Sequence, residues 1–168
     1  MFSVLIAPHC DDESLFTSYT IIRKRPLVII ARSEHNHRGI SANTRKSETI
    51  SAMKILNAPL VFLGMDNLHG IEQRLLTFKP DIAYIPSVQG GNVDHDLIGK
   101  ICVGLWGNKC IQYSTYSKDN LVPVGSVEII PTNDEVMIKG KALDCYTTQL
   151  ILNKPHFDAV RGRSEYYA

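Results

Sequence analysis

The chain has 168 residues, enough for one domain with its own hydrophobic core. Hydrophobic residues make up 44% and charged residues 21%, a globular composition that excludes a disordered or fibrous protein. A formal net charge of +1 at pH 7 argues against a nucleic-acid-binding protein, because such domains carry a clear basic excess. No apolar run reaches the roughly 20 residues of a transmembrane segment. Since no export signal is visible and the four cysteines show no paired spacing, we expect a cytoplasmic protein with reduced thiols.

Short apolar runs rich in branched residues predict buried strands along the chain. A further run at residues 127–130 predicts an additional strand, antiparallel at the edge of the sheet. The principal predicted strands cover residues 3–7, 27–31, 60–63, 81–85 and 110–113.

Four segments with helical spacing of apolar residues separate or follow these strands. The first ends at Pro26, and the second begins near Asn43. The third is the apolar stripe over residues 97–105. The last begins at the Asn133 cap and extends through Leu150 as one helix.

The alternation of strands and helices predicts an α/β fold with right-handed crossovers. We expect a Rossmann-like three-layer sandwich, in which helices cover both faces of a mostly parallel sheet. No repeat or shift in composition divides the chain, so residues 1–168 are expected to form a single domain. Ligands bind beyond the carboxyl ends of the strands in such sheets, so functional residues should follow strands directly.

The first strand runs into the segment 8–13, Pro-His-Cys-Asp-Asp-Glu. Its three adjacent carboxylates repel one another, and a bound divalent cation would offset that repulsion. The competing interpretation is that Asp11, Asp12 and Glu13 only cap the following helix. That interpretation leaves His9 at the end of a buried strand unexplained.

A second cluster of similar chemistry follows the fourth predicted strand, in the segment 90–96, Gly-Gly-Asn-Val-Asp-His-Asp. Both clusters lie at the same edge of a parallel sheet, so His9, Asp12 and His95 can converge. Two imidazoles and one carboxylate with an open coordination position are typical of a catalytic zinc site.

These segments resemble motifs of the LmbE-like (PIG-L) family of zinc-dependent N-acetylglucosaminyl de-N-acetylases. The family's first motif reads Ala-Pro-His-Pro-Asp-Asp-Glu, and residues 7–13 match it except for Cys10 in place of a proline. The second motif reads His-Pro-Asp-His, and residues 92–95 read Asn-Val-Asp-His. Weaker matches are Arg45 with Glu48 and Ala52, and the segment 141–149.

The resemblance implies that His9, Asp12 and His95 bind Zn²⁺ and that Asp11 is the general base for the water that zinc activates. It also makes Asn92 and Asp94 candidate catalytic residues.

Asn92 departs from the family, because a histidine there is thought to stabilise the tetrahedral intermediate or protonate the leaving amine. An amide donates a hydrogen bond but transfers no proton. Either Asp11 performs both proton transfers, or another histidine such as His35, His37 or His69 enters the site, or catalysis is slow.

Three residues are candidates for substrate binding. Arg45 offers a rigid fork of donors to a polar or anionic group, although an Arg45–Glu48 pair on a solvated helix face explains it equally well. For His35 and His37 we favour a mobile polar loop. Since that loop follows a strand at the ligand edge, contact with substrate is the alternative.

The resemblance implies a zinc-dependent hydrolase that removes the acetyl group from an N-acetylated amino-sugar conjugate, a small-molecule substrate. The alternatives are a metal-binding pseudoenzyme, which Asn92 favours, or another metal-dependent amidase or phosphatase on the same fold. Phosphoryl transfer is disfavoured because its sites use carboxylate ligands for magnesium. Homo-oligomerisation through the apolar edge around residues 122–130 is a further expectation.

Overall fold

Strands from most of the chain form one sheet in the computed structural model, which describes residues 1–116 and 123–168. Within these residues the strands are β1 (Ser3–Ala7), β2 (Leu27–Ile30), β3 (Leu60–Phe62), β4 (Ile82–Pro86), β5 (Cys110–Tyr113), β6 (Val127–Ile129) and β7 (Glu165–Tyr167). Their order across the sheet is β3-β2-β1-β4-β5-β7-β6. The pairs from β3 to β5 are parallel, and β7 is antiparallel to both of its neighbours. The predicted mostly parallel sheet is confirmed.

Helices cover both faces of this sheet, as the pattern predicted. They are α1 (Asp12–Phe16), α2 (Ser18–Lys24), α3 (Ala42–Leu56), α4 (Ile71–Leu75), α5 (Val93–Trp106), α6 (Asn133–Leu143) and α7 (Thr147–Val160). One core cluster joins the sheet to α1, α2, α3, α6 and α7, and the other joins it to α4 and α5. The result is a three-layer sandwich.

The alternation of side chains along β1 explains why both layers form. Leu5 and Ala7 belong to the first core cluster, and Val4 and Ile6 belong to the second. All four are fully buried. A strand buried on both faces needs apolar side chains at every position, which is the pattern of this run.

The order of the strands fixes where a ligand can bind. β1 lies between β2 and β4 and is parallel to both. The chain continues from β1 to β2 and β3 on one side, and then through β4 and β5 on the other side of β1. The loops after β1 and β4 therefore diverge at the switch point of the sheet, where open α/β sheets bind ligands. Both sequence clusters lie in these two loops.

Two helix predictions were wrong in their extent. The first predicted helix is divided at Thr17 into α1 and α2. The last predicted helix is also two helices, because the chain leaves helical geometry at Tyr146, between α6 and α7. The Tyr146 hydroxyl donates to the buried Glu13 carboxylate, so a tertiary contact overrides the local apolar spacing at this break.

One strand of the sheet, β7, was not predicted from the sequence. β7 is only three residues long and follows α7 directly. The predicted antiparallel edge strand is confirmed as β6, while residue 122 of the expected apolar edge lies outside the described residues. In the described part of the chain no helix combines the length and apolarity needed to cross a bilayer.

Candidate metal centre

The first two candidate metal ligands lie where β1 passes into α1. His9 is in the connecting turn, and Asp12 is the first residue of α1. Asp12 Oδ2 lies 3.1 Å from His9 Nδ1 and accepts a hydrogen bond from the His9 backbone N–H at 2.8 Å. Both residues are buried. The turn therefore holds the Asp12 carboxylate against the His9 ring.

His95 reaches the same carboxylate from the first turn of α5. Its Nε2 lies 3.1 Å from Asp12 Oδ2, and its ring centroid lies 5.3 Å from that of His9. His95 is 1% exposed, yet among the described residues its Nδ1 has no hydrogen-bond partner, and its Nε2 faces Asp12 Oδ2 without meeting hydrogen-bond geometry. A buried polar atom without a partner costs about 1–3 kcal/mol. The fold thus holds the His95 ring where protein groups do not satisfy its hydrogen-bonding capacity.

The donors of these three residues fit a divalent metal ion. One ligating atom from each of His9, Asp12 and His95 lies within 4.8 Å of the others. Ligands at about 2.0–2.2 Å from a tetrahedral zinc ion are roughly 3.3–3.6 Å apart, close to the two distances of 3.1 Å at Asp12 Oδ2. Two imidazoles with one carboxylate favour zinc over magnesium or calcium, which prefer oxygen ligands. The ring nitrogens of His95, which make no hydrogen bond among the described residues, also fit a bound cation.

Asp94 and Arg32 hold the His9 ring from the other side. His9 Nε2 lies 2.8 Å from Asp94 Oδ2, and Arg32 Nη1 donates to the same oxygen. With Asp94 next to Nε2, the nitrogen of His9 that faces Asp12 is Nδ1. A carboxylate in this place fixes the tautomer and orientation of a ligating histidine. The structure therefore gives Asp94, a predicted catalytic residue, a positioning contact to His9.

Burial and neighbouring charges shift the pKa values of His9, Asp12 and Asp94. Burial opposes a charged imidazole, but hydrogen bonds to Asp12 and Asp94 outweigh it and raise the pKa of His9 to about 9. Burial also acts to raise the pKa of Asp12, yet His95 and His9 hold it well below its usual range. The hydrogen bond with His9 lowers the pKa of Asp94 to about 2. The carboxylates thus stay ionised at neutral pH, and a metal ion would displace the proton from His9.

Asp11, the predicted general base, adopts a backbone conformation that favours glycine. Its φ is 116°, and strain of this kind costs about 1–3 kcal/mol for other residues. The surroundings impose it: the Asp11 carbonyl accepts from the amides of Ser14 and Leu15, and its N–H donates to Glu13 Oε2 at 3.1 Å. Strained residues cluster at functional sites, where the geometry of one side chain matters.

Arg45 of α3 contacts Asp11 directly. Its Nη2 donates to the Cys10 carbonyl at 2.6 Å and to Asp11 Oδ2 at 3.3 Å, and only 4% of the residue is exposed. Burial raises the pKa of Asp11 to about 8, although the Arg45 guanidinium opposes that shift. A carboxyl that titrates near neutral pH is suited to both accept and return a proton.

The alternative of a solvated Arg45–Glu48 pair is wrong. Arg45 is buried against the Asp11 turn, as described above, and Glu48 is committed to the start of α7. Glu48 Oε1 accepts from the Thr148 backbone N–H at 2.7 Å and from the Thr147 hydroxyl at 3.0 Å. Glu48 therefore caps α7, whereas Arg45 binds the turn that contains Asp11.

A cavity of about 270 Å³ opens beside these residues. It adjoins a second cavity of about 300 Å³, and Asp11, His37, Tyr116 and Asn153 line both. The residues predicted for the site line the first cavity, with His95 buried behind them. Its lining residues comprise His9, Asp11, Asp12, His35, His37, Arg45, Asn92, Asp94, Tyr116, Gln149 and Asn153.

His35 and His37 lie in the polar loop after β2, and both line the first cavity. The His35 ring centroid lies 5.7 Å from that of His9, and its Nδ1 is 3.1 Å from Arg32 Nη2. Since a guanidinium only donates, His35 Nδ1 is the acceptor and the ring is neutral. Burial and Arg32 lower the pKa of His35, consistent with this tautomer. By contrast His69 is exposed and does not line either cavity.

Asn92 caps α5 at the position where the family has a histidine. Its Oδ1 accepts a hydrogen bond from the Asp94 N–H at 2.9 Å, and both Asn92 and Tyr116 line the first cavity. Tyr116 lies three residues beyond β5. Burial, with the Asp12 and Asp11 carboxylates, raises the pKa of Tyr116, so its hydroxyl remains protonated.

Sequence reasoning missed four residues that complete the site. Arg32 directly follows β2, so the rule that functional residues follow strands could have found it. Tyr116 follows β5 in the same way. Gln149 and Asn153 come from α7, which is kinked at Asn153, and nothing in the local sequence distinguishes them from packing or surface residues.

No protein-family profile matches the chain, and no match is found among curated protein sequences. Solved structures do share the fold. The chain aligns with a triple mutant (Orf2*T) of a deacetylase of the teicoplanin biosynthetic pathway at a TM-score of 0.75 and 14% identity, over 98% of this chain and 95% of that one. It aligns with the zinc-inhibited form of the teicoplanin deacetylase Orf2 at a TM-score of 0.71 and 13% identity, over 90% and 86%.

A different enzyme shares the fold to the same degree. The 4-carboxy-2-hydroxymuconate hydratase GalB from Pseudomonas putida aligns at a TM-score of 0.74 and 12% identity, over 99% of this chain and 95% of that one. Identities this low establish the fold and not the reaction. The chemistry therefore has to be argued from the site of this chain.

Proposed function

We propose that the protein is a zinc-dependent hydrolase that removes an acetyl group from an N-acetylated amino sugar. The observation that supports this most directly is the convergence of His9, Asp12 and His95 on one point beside Asp11, with the buried His95 making no hydrogen bond through either ring nitrogen among the described residues. The deacetylases among the solved structures with this fold support the same reaction class.

His9, Asp12 and His95 would hold the metal, and Asp94 with Arg32 would orient His9. A bound zinc ion supplies a Lewis acid and lowers the pKa of water at the site toward about 7. The chain's own contribution is a rigid frame, because these side chains are fixed by buried contacts. Preorganised charge of this kind is effective because it needs no rearrangement during the reaction.

Asp11 is the proposed general base. Water adds to the amide carbonyl carbon as the Asp11 carboxylate takes its proton. When the carbon–nitrogen bond breaks, the same proton passes from Asp11 to the departing amine, so acetate and a free amine result. Asp11 lines the cavity, and Arg45 Nη2 donates to its Oδ2 at 3.3 Å, a contact that supports one carboxylate serving both transfers.

The cavity supports a polar substrate of limited size. Its lining offers hydrogen-bonding groups from His37, Asn153 and Gln149, beyond the residues that face the metal position. Hydroxyl groups of a sugar ring suit such a lining. We therefore assign an amino-sugar derivative as the substrate class, with its acetyl group toward Asp11.

A hydratase is the second candidate, because GalB has the same fold at a similar TM-score. Addition of water to a carbon–carbon double bond would also need a base that takes a proton from water. The two reactions differ in their products, since hydration releases neither acetate nor an amine.

The test is an assay of zinc-loaded protein against a panel of N-acetyl amino sugars, read by free amine and by acetate in equal amounts. Equal release from at least one of them supports the deacetylase. Unsaturated carboxylic acids form the parallel panel, read by loss of the double bond. Turnover there alone would favour the hydratase. Stoichiometric zinc with no turnover on either panel would favour the pseudoenzyme.

A further inference from the structure

The site has a hydrogen-bond donor that the sequence motifs do not contain. The position that carries a histidine in the resembled family carries Asn92, and Asn92 Oδ1 is already occupied by the Asp94 N–H at 2.9 Å. The end of the amide left for a further partner is therefore Nδ2, which only donates, and Tyr116 lines the same cavity as Asn92. A bond from Nδ2 to the Tyr116 oxygen would leave the Tyr116 proton for another acceptor.

The Tyr116 ring is fixed by three aromatic neighbours. Its centroid lies 5.4 Å from the His95 ring, 5.3 Å from the Phe16 ring and 4.8 Å from the His156 ring. Edge contacts of this kind hold an aromatic side chain in one orientation. Tyr116 also lines both cavities, so its hydroxyl end borders the space that a substrate would occupy.

We propose that Tyr116, oriented by Asn92, donates a hydrogen bond to the acetyl oxygen of the substrate and so takes over the oxyanion-stabilising role that the missing histidine would perform. This inference rests on the proposed deacetylation and adds a donor to it. The hydrogen bond from the Asp94 N–H to Asn92 Oδ1 fixes the amide. In the proposed arrangement Asn92 Nδ2 donates to the Tyr116 oxygen, and the Tyr116 O–H donates to the acetyl oxygen.

The roles of Tyr116 and Asp11 are distinct in this scheme. As water adds, the carbonyl double bond opens and negative charge collects on the acetyl oxygen, where the Tyr116 proton stabilises it without transfer. When the carbon–nitrogen bond breaks, the double bond reforms and the hydrogen bond weakens. All proton transfer passes through Asp11, so an amide at position 92 is sufficient.

Other donors around the cavity are less suited to this task. Arg45 Nη2 is bound to the Cys10 carbonyl and Asp11. His35 Nδ1 accepts from Arg32, so the donor of this ring is Nε2–H, and the ring lies beside His9, 5.7 Å between centroids. Tyr116 both touches the His95 ring and lines the cavity.

The experiment compares wild-type protein with Tyr116→Phe, both loaded with zinc, on the best N-acetyl amino sugar of the panel. Phenylalanine keeps the ring contacts and removes only the hydroxyl. Loss of one oxyanion donor lowers kcat by about 10²–10³-fold, and we expect that loss here with unchanged zinc content. Tyr166→Phe is the matched control, because Tyr166 bonds the exposed Glu128 and lies outside both cavities.

A second readout is independent of turnover. A methylphosphonamidate of the same amino sugar mimics the tetrahedral carbon, whereas the free amino sugar mimics the product. Tyr116→Phe should weaken binding of the phosphonamidate by a factor similar to the loss in kcat and leave binding of the free amine unchanged. In addition, Asn92→Ser, which keeps a helix cap, should lower kcat in the wild-type background and have little effect in the Tyr116→Phe background.

The outcomes separate this inference from the proposed function. Active wild type with equally active Tyr116→Phe and unchanged phosphonamidate affinity would overturn the role of Tyr116 and leave the deacetylase intact. Wild type that binds zinc but hydrolyses no N-acetyl substrate would overturn both. The selective loss of phosphonamidate binding and turnover in Tyr116→Phe would support the assignment.

Discussion

The molecule buries two clusters of charged side chains, and they are built in opposite ways. In the first, Lys139 and Glu165 lie among α6, β7 and the start of α2. Lys139 Nζ donates to the Leu15 carbonyl at 2.9 Å and lies 4.7 Å from the centre of the Tyr19 ring. Glu165 accepts from the amides of Tyr19 and Thr20 at 2.7 and 3.0 Å, and so caps α2 from a distant strand.

The second cluster, at the candidate metal centre, is equally buried but incomplete. Among the described residues His95 makes no hydrogen bond through its ring nitrogens, and Arg45 Nε also lacks a hydrogen-bond partner. Asp11 adds a strained backbone. Burial and charge are common to both clusters, so they do not identify function by themselves. A strained residue beside buried polar atoms without hydrogen bonds favours a functional site, because a fold keeps such costs where a ligand or a reaction offsets them.

Of the variants in the two clusters, Asp11→Asn is expected to have the largest effect, and that effect is on kcat. The amide accepts no proton from water, so kcat should fall by about 10²–10⁴-fold. The three ligands are unchanged, so zinc content should stay at about one per chain. Activity near that of wild type, measured with the same zinc content, would reduce Asp11 to a structural role at the turn.

A stability effect without loss of zinc is expected from Lys139→Met. This change leaves Glu165 buried without its cation, and loss of one partner of a buried pair costs about 3 kcal/mol or more. Urea unfolding of the metal-depleted protein measures the change. The double variant Lys139→Met/Glu165→Gln should recover part of the loss. No destabilisation in the single variant would show that the four donors to Glu165 suffice without the lysine.

The two clusters should also differ in pH dependence. Burial lowers the pKa of Lys139 to about 8 in the folded state, below the 10.5 of an exposed lysine. Between these values the unfolded chain binds more protons than the folded one, so the contribution of Lys139 to stability rises with pH. The free energy of unfolding of wild type minus that of Lys139→Met should therefore increase by about 2 kcal/mol from pH 8 to about pH 10. The subtraction removes the tyrosines, which titrate equally in both proteins. A flat difference would contradict the lowered pKa.

The sequence predicted the convergence of His9, Asp12 and His95, because the pattern behind it is local. His9 and Asp12 are three residues apart at the end of an apolar strand, and His95 follows another strand in a similar acidic segment. The topology of a parallel sheet then brings them together, and the alternation of strands and helices is enough to predict that topology. The same reasoning predicted the three-layer fold.

The remaining features depend on contacts between distant segments. Tyr146 ends a helix because it bonds Glu13, 133 residues away. Glu165, in the short strand β7, caps α2 by accepting from the Tyr19 amide. Tyr116 is held in the site by ring contacts with Phe16, His95 and His156, which come from distant parts of the chain. No local pattern encodes such pairings, so a single sequence did not reveal them.

The most direct test of the metal centre is a zinc titration of metal-depleted wild type, His95→Ala and His69→Ala, followed by calorimetry and thermal unfolding. His69 is exposed and outside the cavity, so its variant controls for loss of a histidine. Wild type and His69→Ala should bind about one zinc per chain, and free zinc at 100 times the Kd should stabilise both by about 2.7 kcal/mol. His95→Ala should show neither tight binding nor stabilisation. Stoichiometric, stabilising zinc in His95→Ala would contradict the metal centre proposed for this protein.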